Sequence, residues 1–108
     1  MSETPSWRPL EGEAHRVAVE VLIHGPIARS ELARRLGLSP STLTRVARPL
    51  IQSGLVREYE AKGQAGPTGT GRPVQPLDID PASRHFIGVK ITSDQAHGVL
   101  TDLRANVV

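Results

Sequence analysis

The sequence predicts a mainly α protein with a β-wing: a winged helix-turn-helix followed by a β-hairpin. Three observations predict it. Three apolar stripes at helical spacing fall before residue 54, and the last two are separated only by Gly37-Leu38-Ser39. Two short alternating stretches, residues 55–60 and 72–79, then flank a Gly-rich run. The composition is 38% hydrophobic but only 3% aromatic, so the core must be built from Leu, Val, Ile and Ala, which suits helix packing. At 108 residues the chain is long enough for one modest core.

Residues 1–10 carry Pro5, Pro9, Ser2, Ser6 and Thr4 and read as a flexible N-terminal arm, with Trp7 as a possible anchor. In the first helix Ala14, Val17, Ala18, Val21 and Leu22 recur at i, i+3, i+4, i+7 and i+8, and His24-Gly25-Pro26 stops it. Val19 and Ile23 add a second apolar edge. Ser30 is expected to cap a second helix that turns Leu32, Ala33 and Leu36 inward and ends at Gly37, where a left-handed residue is wanted. Ser39-Pro40 repeats the start signal for a third helix, whose stripe is Leu43, Val46, Ala47, Leu50 and Ile51, closed by Gly54. Pro49 dissents: inside a helix it removes a hydrogen bond at a cost of about 3 kcal/mol. A kink or tightening is therefore expected around Arg45 to Pro49.

The stretch LVREYE (55–60) and the stretch RPVQPLDI (72–79) read as two strands around AKGQAGPTGTG, a wing. The domain expected from these elements spans residues 11–80. Residues 81–108 form a second unit, with strands from Phe86 to Thr92 and from about Ala96 to Leu103 joined at Ser93-Asp94. Ile87, Val89 and Ile91 share one face of that hairpin, and an isolated hairpin needs a partner for such a face.

Charge bears on function. From His24 to Arg72 the chain holds eight basic side chains against three acidic ones, a local charge of +5, while the whole chain carries +2. Such a segment suits a phosphate-bearing partner. With no cysteine there is neither a thiolate nucleophile nor a cysteine-ligated zinc, as suits a reducing compartment. No stretch has the apolar length of a signal peptide or of a membrane span, so a cytoplasmic protein without membrane contact is expected. His15, His24, His85 and His97 are scattered, and Asp78, Asp80, Asp94 and Asp102 read as turn residues. No nucleophile is paired with a base and no metal ligands cluster. The Gly-rich run lacks the Lys-Ser/Thr of a nucleotide-binding loop. No catalytic activity and no cofactor are expected.

The expected partner is double-stranded DNA. A connector of about three residues between two short amphipathic helices is the spacing of a helix-turn-helix, whose second helix enters the major groove. Ser39, Ser41, Thr42 and Thr44 offer small hydroxyls, and Arg45 offers a guanidinium, for base edges or phosphates. Arg48 reads as a phosphate clamp. Arg34 and Lys62 are further phosphate candidates. Arg72, in GTGRP, is suited to a flanking minor groove. Two rival readings compete: a winged helix used for protein contacts or dimerisation without DNA, and a fragment of a kinase-like enzyme.

The run GPIARSELARRLGLSPSTLTRVARPLIQSGLVREYE, followed by GTGRPVQPLDIDPASRHFIGVKIT, resembles the N-terminal part of transcriptional regulators of the ROK family (repressor, open reading frame, kinase). The resemblance covers the chain from about Glu13 onward. It implies a winged helix leading into an actin-like, sugar-kinase-like domain, sequence-specific DNA binding as a homodimer or higher oligomer, and control of sugar genes. The family's recognition-helix positions match Ser39 to Arg48, and its wing matches Gly71, Arg72 and Pro73. Family kinases carry an Asp and a Gly-Gly-Thr turn after the first strand; Lys90 and Thr92-Ser93-Asp94 stand here instead. The family's sugar and zinc motifs fall beyond Val108. The hairpin is thus expected to be the first of a truncated kinase-like domain, with a sugar effector only where the full domain exists.

Overall fold

The computed structural model describes residues 9–59 and 75–108. Trp7, Lys62, Gly71, Arg72 and Pro73 lie outside these. Three helices come first: α1 (Gly12–His24), α2 (Arg29–Leu36) and α3 (Pro40–Gln52). Strands β1 (Val56–Glu58) and β2 (Leu77–Ile79) follow, then a 3₁₀ turn at Pro81–Ser83, and strands β3 (Phe86–Ile91) and β4 (Ala96–Thr101).

Each expected apolar stripe delivers its buried residues. Val17, Ala18 and Val21 from α1 meet Leu32 and Ala33 from α2 and Leu43, Val46, Ala47 and Leu50 from α3. Ile27, Val56, Leu77 and Ile79 close the core, which among the described residues is wholly aliphatic. Burying one such side chain contributes about 1.5–3 kcal/mol, so the helices are held mainly by this shared surface.

The sheet beside the helices is small. β1 and β2 pair antiparallel, with Val56 opposite Ile79, Arg57 opposite Asp78 and Glu58 opposite Leu77. Ile27 joins from the other side: its amide donates to the Leu77 carbonyl at 2.9 Å, and the Leu77 amide returns the bond at 2.8 Å. The strands are shorter than the stretches that predicted them. Pro76 has no N–H to donate, and pairing beyond β1 rests on the Tyr59 amide donating to its carbonyl at 2.9 Å.

Two helices end alike. The amide of Leu38 donates to Ala33 at 2.9 Å and that of Gly37 to Arg34 at 3.3 Å; Leu55 donates to Leu50 at 3.1 Å and Gly54 to Ile51 at 3.0 Å. Gly37 and Gly54 hold φ of 67° and 82°, the left-handed conformation this closing pattern requires and glycine adopts without steric cost.

Three details differ from expectation. Ser30 does not cap α2: the helix begins at Arg29 with Ala28 in the cap position and no side-chain cap bond. Pairing of Ile27 with Leu77, together with the Arg29–Glu58 ion pair, fixes where the chain leaves the sheet. Nor does a tightened turn appear at Pro49, for α3 runs unbroken to Gln52 and the Ser53 amide donates to the Pro49 carbonyl at 3.0 Å. Packing of Val46, Ala47 and Leu50 in the core outweighs the missing bond. Asp78 lies within a strand instead of a turn.

The β3–β4 hairpin pairs Phe86 with Thr101 through Ile91 with Ala96. Its turn is closed by Thr92, whose amide donates to the Gln95 carbonyl at 2.8 Å and whose hydroxyl accepts the Gln95 amide at 3.1 Å. Ile87, Val89 and Ile91 are exposed along one face.

Candidate nucleic-acid interface

The start of α3 is organised by Ser39. Its Oγ accepts the Thr42 amide at 3.2 Å, donates to Thr42 Oγ1 at 2.9 Å and lies 3.2 Å from Ser41 Oγ. Pro40 follows at the first helical position, where its missing N–H costs nothing. The Thr44 hydroxyl donates to the Pro40 carbonyl at 3.0 Å. Ser39 is therefore occupied as a cap and Thr42 is half-buried beside it, while Ser41 and Thr44 stand exposed with lone pairs to spare.

Helical periodicity sorts the remaining side chains. At about 100° per residue, Ser41, Thr44, Arg45 and Arg48 fall within an arc of about 100°. Leu43, Val46, Ala47 and Leu50 occupy the opposite arc and are buried. All four polar residues are exposed. From Ser41 to Arg48 the stripe rises about 10 Å, the span of about three base pairs. No acidic residue occurs in α3, and its N-terminal end carries the positive pole of the helix dipole.

The arginines divide by partner. Arg29 pairs with Glu58, Arg34 with Glu31 at 3.4 Å, Arg35 with Glu31 at 3.2 Å and Glu20 at 3.4 Å, and Arg57 with Asp80 at 3.8 Å. Arg16 and Arg84 donate to backbone carbonyls. Among the described residues, Arg45 and Arg48 are the arginines with neither a hydrogen bond nor an ion pair. Both stand on the α3 stripe, so their guanidinium donors are available to an external acceptor.

Arg34 faces this stripe across the turn. A shallow groove of about 360 Å³ runs between α2 and α3, lined by Ala33, Leu38 and Leu43 with Arg34 and Thr44 beside them. Lys62 and Arg72 fall outside the described residues.

Sequence reasoning missed two ion pairs. Arg29–Glu58 ties the start of α2 to β1, and Arg104–Asp78, at 2.6 Å, ties the end of the chain to β2. Neither leaves a local spacing signal, since the partners lie far apart along the chain. Among the described residues no three His, Cys, Asp or Glu side chains gather as metal ligands. No described helix is long and apolar enough to cross a membrane.

A family profile described as MarR family matches residues 20–62, the stretch holding the helix-turn-helix. The chain is 31% identical over 84 residues to the DNA-binding transcriptional repressor Mlc of Escherichia coli K12, covering 78% of this chain and 20% of that protein. It is 32% identical over 89 residues to the xylose repressor of Bacillus subtilis 168, covering 82% and 22%. A solved structure described as a ROK family transcriptional regulator, homolog of the E. coli Mlc protein, aligns at a TM-score of 0.67 and 26% identity, over 89% of this chain and 24% of its own. The chain is thus similar to ROK family regulators. It spans about one fifth of the length of the curated ROK-type relatives it matches. The MarR family match spans α2, α3 and β1.

Proposed function

We propose that this chain is a sequence-specific DNA-binding transcriptional regulator that acts as a repressor in carbohydrate metabolism. The observation that carries the reading is the exposed Ser41, Thr44, Arg45, Arg48 stripe, free of acids and backed by a buried aliphatic face. Repressors at 31–32% identity across four fifths of this chain support it over a winged helix used only for protein contacts.

In this reading α3 lies in the major groove. Ser41, Thr42, Thr44 and Arg45 address base edges or nearby phosphates, and Arg48 clamps a phosphate. Ser39 serves first as the cap that presents them. Arg34, already paired with Glu31, meets the backbone without reading sequence, as does Lys62, and Arg72 enters the flanking minor groove. The regulator works in the cytoplasm as a homodimer, with no catalytic role. Residues 11–80 are the reading domain, and 81–108 open a kinase-like domain that would hold any sugar effector.

Fluorescence anisotropy with random and A·T-flanked duplexes at several salt concentrations tests this. Affinity should fall with salt at a log–log slope of roughly 0.9 per phosphate contact, and one subset of duplexes should be preferred. Absence of binding at low salt would favour the protein-contact reading.

A further inference from the structure

Residues 102–106 fold back from the end of β4 onto the winged helix. Asp102 builds the turn: its Oδ1 accepts the amides of Arg104 and Asn106, both at 2.9 Å, and its Oδ2 accepts Asn106 Nδ2 at 3.1 Å. The Asp102 amide donates to the Asn106 carbonyl at 2.9 Å, and Ala105 takes a φ of 63°. Such a turn holds the two residues at its centre in a fixed direction.

Those two residues grip the winged helix. The Leu103 amide donates to the Pro81 carbonyl at 3.0 Å, and its side chain packs against the core. Arg104 Nη2 donates to Asp78 Oδ1 at 2.6 Å, and its Nη1 donates to the Leu22 carbonyl at 3.4 Å. One guanidinium thus bridges the last turn of α1 and the middle of β2. The Asp78 carboxylate is seated for this: it accepts the Ile79 amide at 2.8 Å and rests against Gly25, where an added Cβ would lie 3.0 Å from Asp78 Cγ. Both partners are partly shielded, with Arg104 33% and Asp78 20% exposed, which lifts the pair above an ordinary solvated one.

We propose that Arg104 is the coupling residue through which the β3–β4 unit governs the reading surface. This rests on the DNA-binding function proposed above. β2 pairs with β1, whose Glu58 holds Arg29 at the start of α2, and α1 packs on α3. With Arg104 engaged, the end of α1, β2 and the start of α2 share one frame, and α3 is held for DNA. Displacement of the β3–β4 unit withdraws Arg104, freeing β2 and the end of α1, and DNA affinity falls.

The test compares the chain with Arg104→Ala, Arg104→Lys, Asp78→Asn and the Arg104→Ala/Asp78→Asn double variant. Amide exchange by NMR reads Ile27, Leu77 and Asp80, all bonded within this frame; anisotropy reads binding to the preferred duplex. Arg104→Ala should speed exchange and weaken binding roughly tenfold, and the double variant should add little to either. Arg104→Lys should restore part of both, and keeps the test decisive if the alanine variant fails to fold. Unchanged exchange and affinity in Arg104→Ala, or fully additive effects with Asp78→Asn, would overturn the coupling. Failure of the parent chain to bind any duplex would instead overturn the DNA-binding reading, and with it the role of Arg104 in recognition.

Discussion

The Leu38 amide reaches back across Gly37 to the Ala33 carbonyl at 2.9 Å, and this bond sets the angle at which α3 leaves α2. Beyond its chain neighbours, no atom of the described residues lies within 4 Å of a Cβ added at Gly37, so the conformation, φ of 67°, restricts the position. Gly37→Ala is expected to destabilise the fold by about 1–2 kcal/mol without creating a clash. Urea denaturation followed by circular dichroism measures it, and an unchanged midpoint would refute the role given to Gly37.

Ser39→Ala removes the acceptor of the Thr42 amide. A loss of about 1 kcal/mol is expected, and Ser39→Asp should recover most of it because a carboxylate caps as well and suits the helix dipole. On DNA the two variants should separate: the aspartate brings negative charge to the proposed interface and should weaken binding while stabilising the fold. Thermal unfolding and anisotropy on the same samples test both halves.

The turn at 102–106 carries a pH dependence. Burial acts to raise the Asp102 pKa, but the Asn106 amide and side chain, the Arg104 amide and the charge of His85 outweigh it and hold it below the ordinary value of 3.8. A carboxyl with a lowered folded pKa contributes stability that is complete above its unfolded value and lost as pH falls through the folded one. Acid unfolding below the ordinary value should therefore be less steep in Asp102→Asn, which stays neutral throughout. Equal slopes for the two proteins would contradict this.

Much of the winged helix was legible because its signals are local. Ser39-Pro40, Gly37 and Gly54 mark helix ends through backbone conformations that few residues favour, and the α1 and α3 stripes repeat often enough to fix the buried face. Ser30 misled for a tertiary reason: the Ile27–Leu77 pairing and the Arg29–Glu58 contact start α2 one residue before it. Pro49 neither ends nor tightens α3, because a buried aliphatic face holds the helix around it. The candidate stripe was legible as residue types, but what separates Arg45 and Arg48 from the paired Arg29, Arg34 and Arg35 is where the fold places Glu31 and Glu58. Arg104–Asp78 joins residues 26 apart, and no periodicity announces such a contact.

Arg45 and Arg34 test the central claim most directly, because one stands on the unpaired face of α3 and the other is paired on α2. Arg45→Ala and Arg34→Ala are titrated against the preferred duplex and a random one at the same salt concentration. Loss of one good base contact amounts to about 1–3 kcal/mol, so Arg45→Ala should lose roughly tenfold or more on the preferred duplex and far less on the random one. Arg34→Ala should weaken both alike. Equal losses for Arg45→Ala on the two duplexes would contradict a base-reading α3.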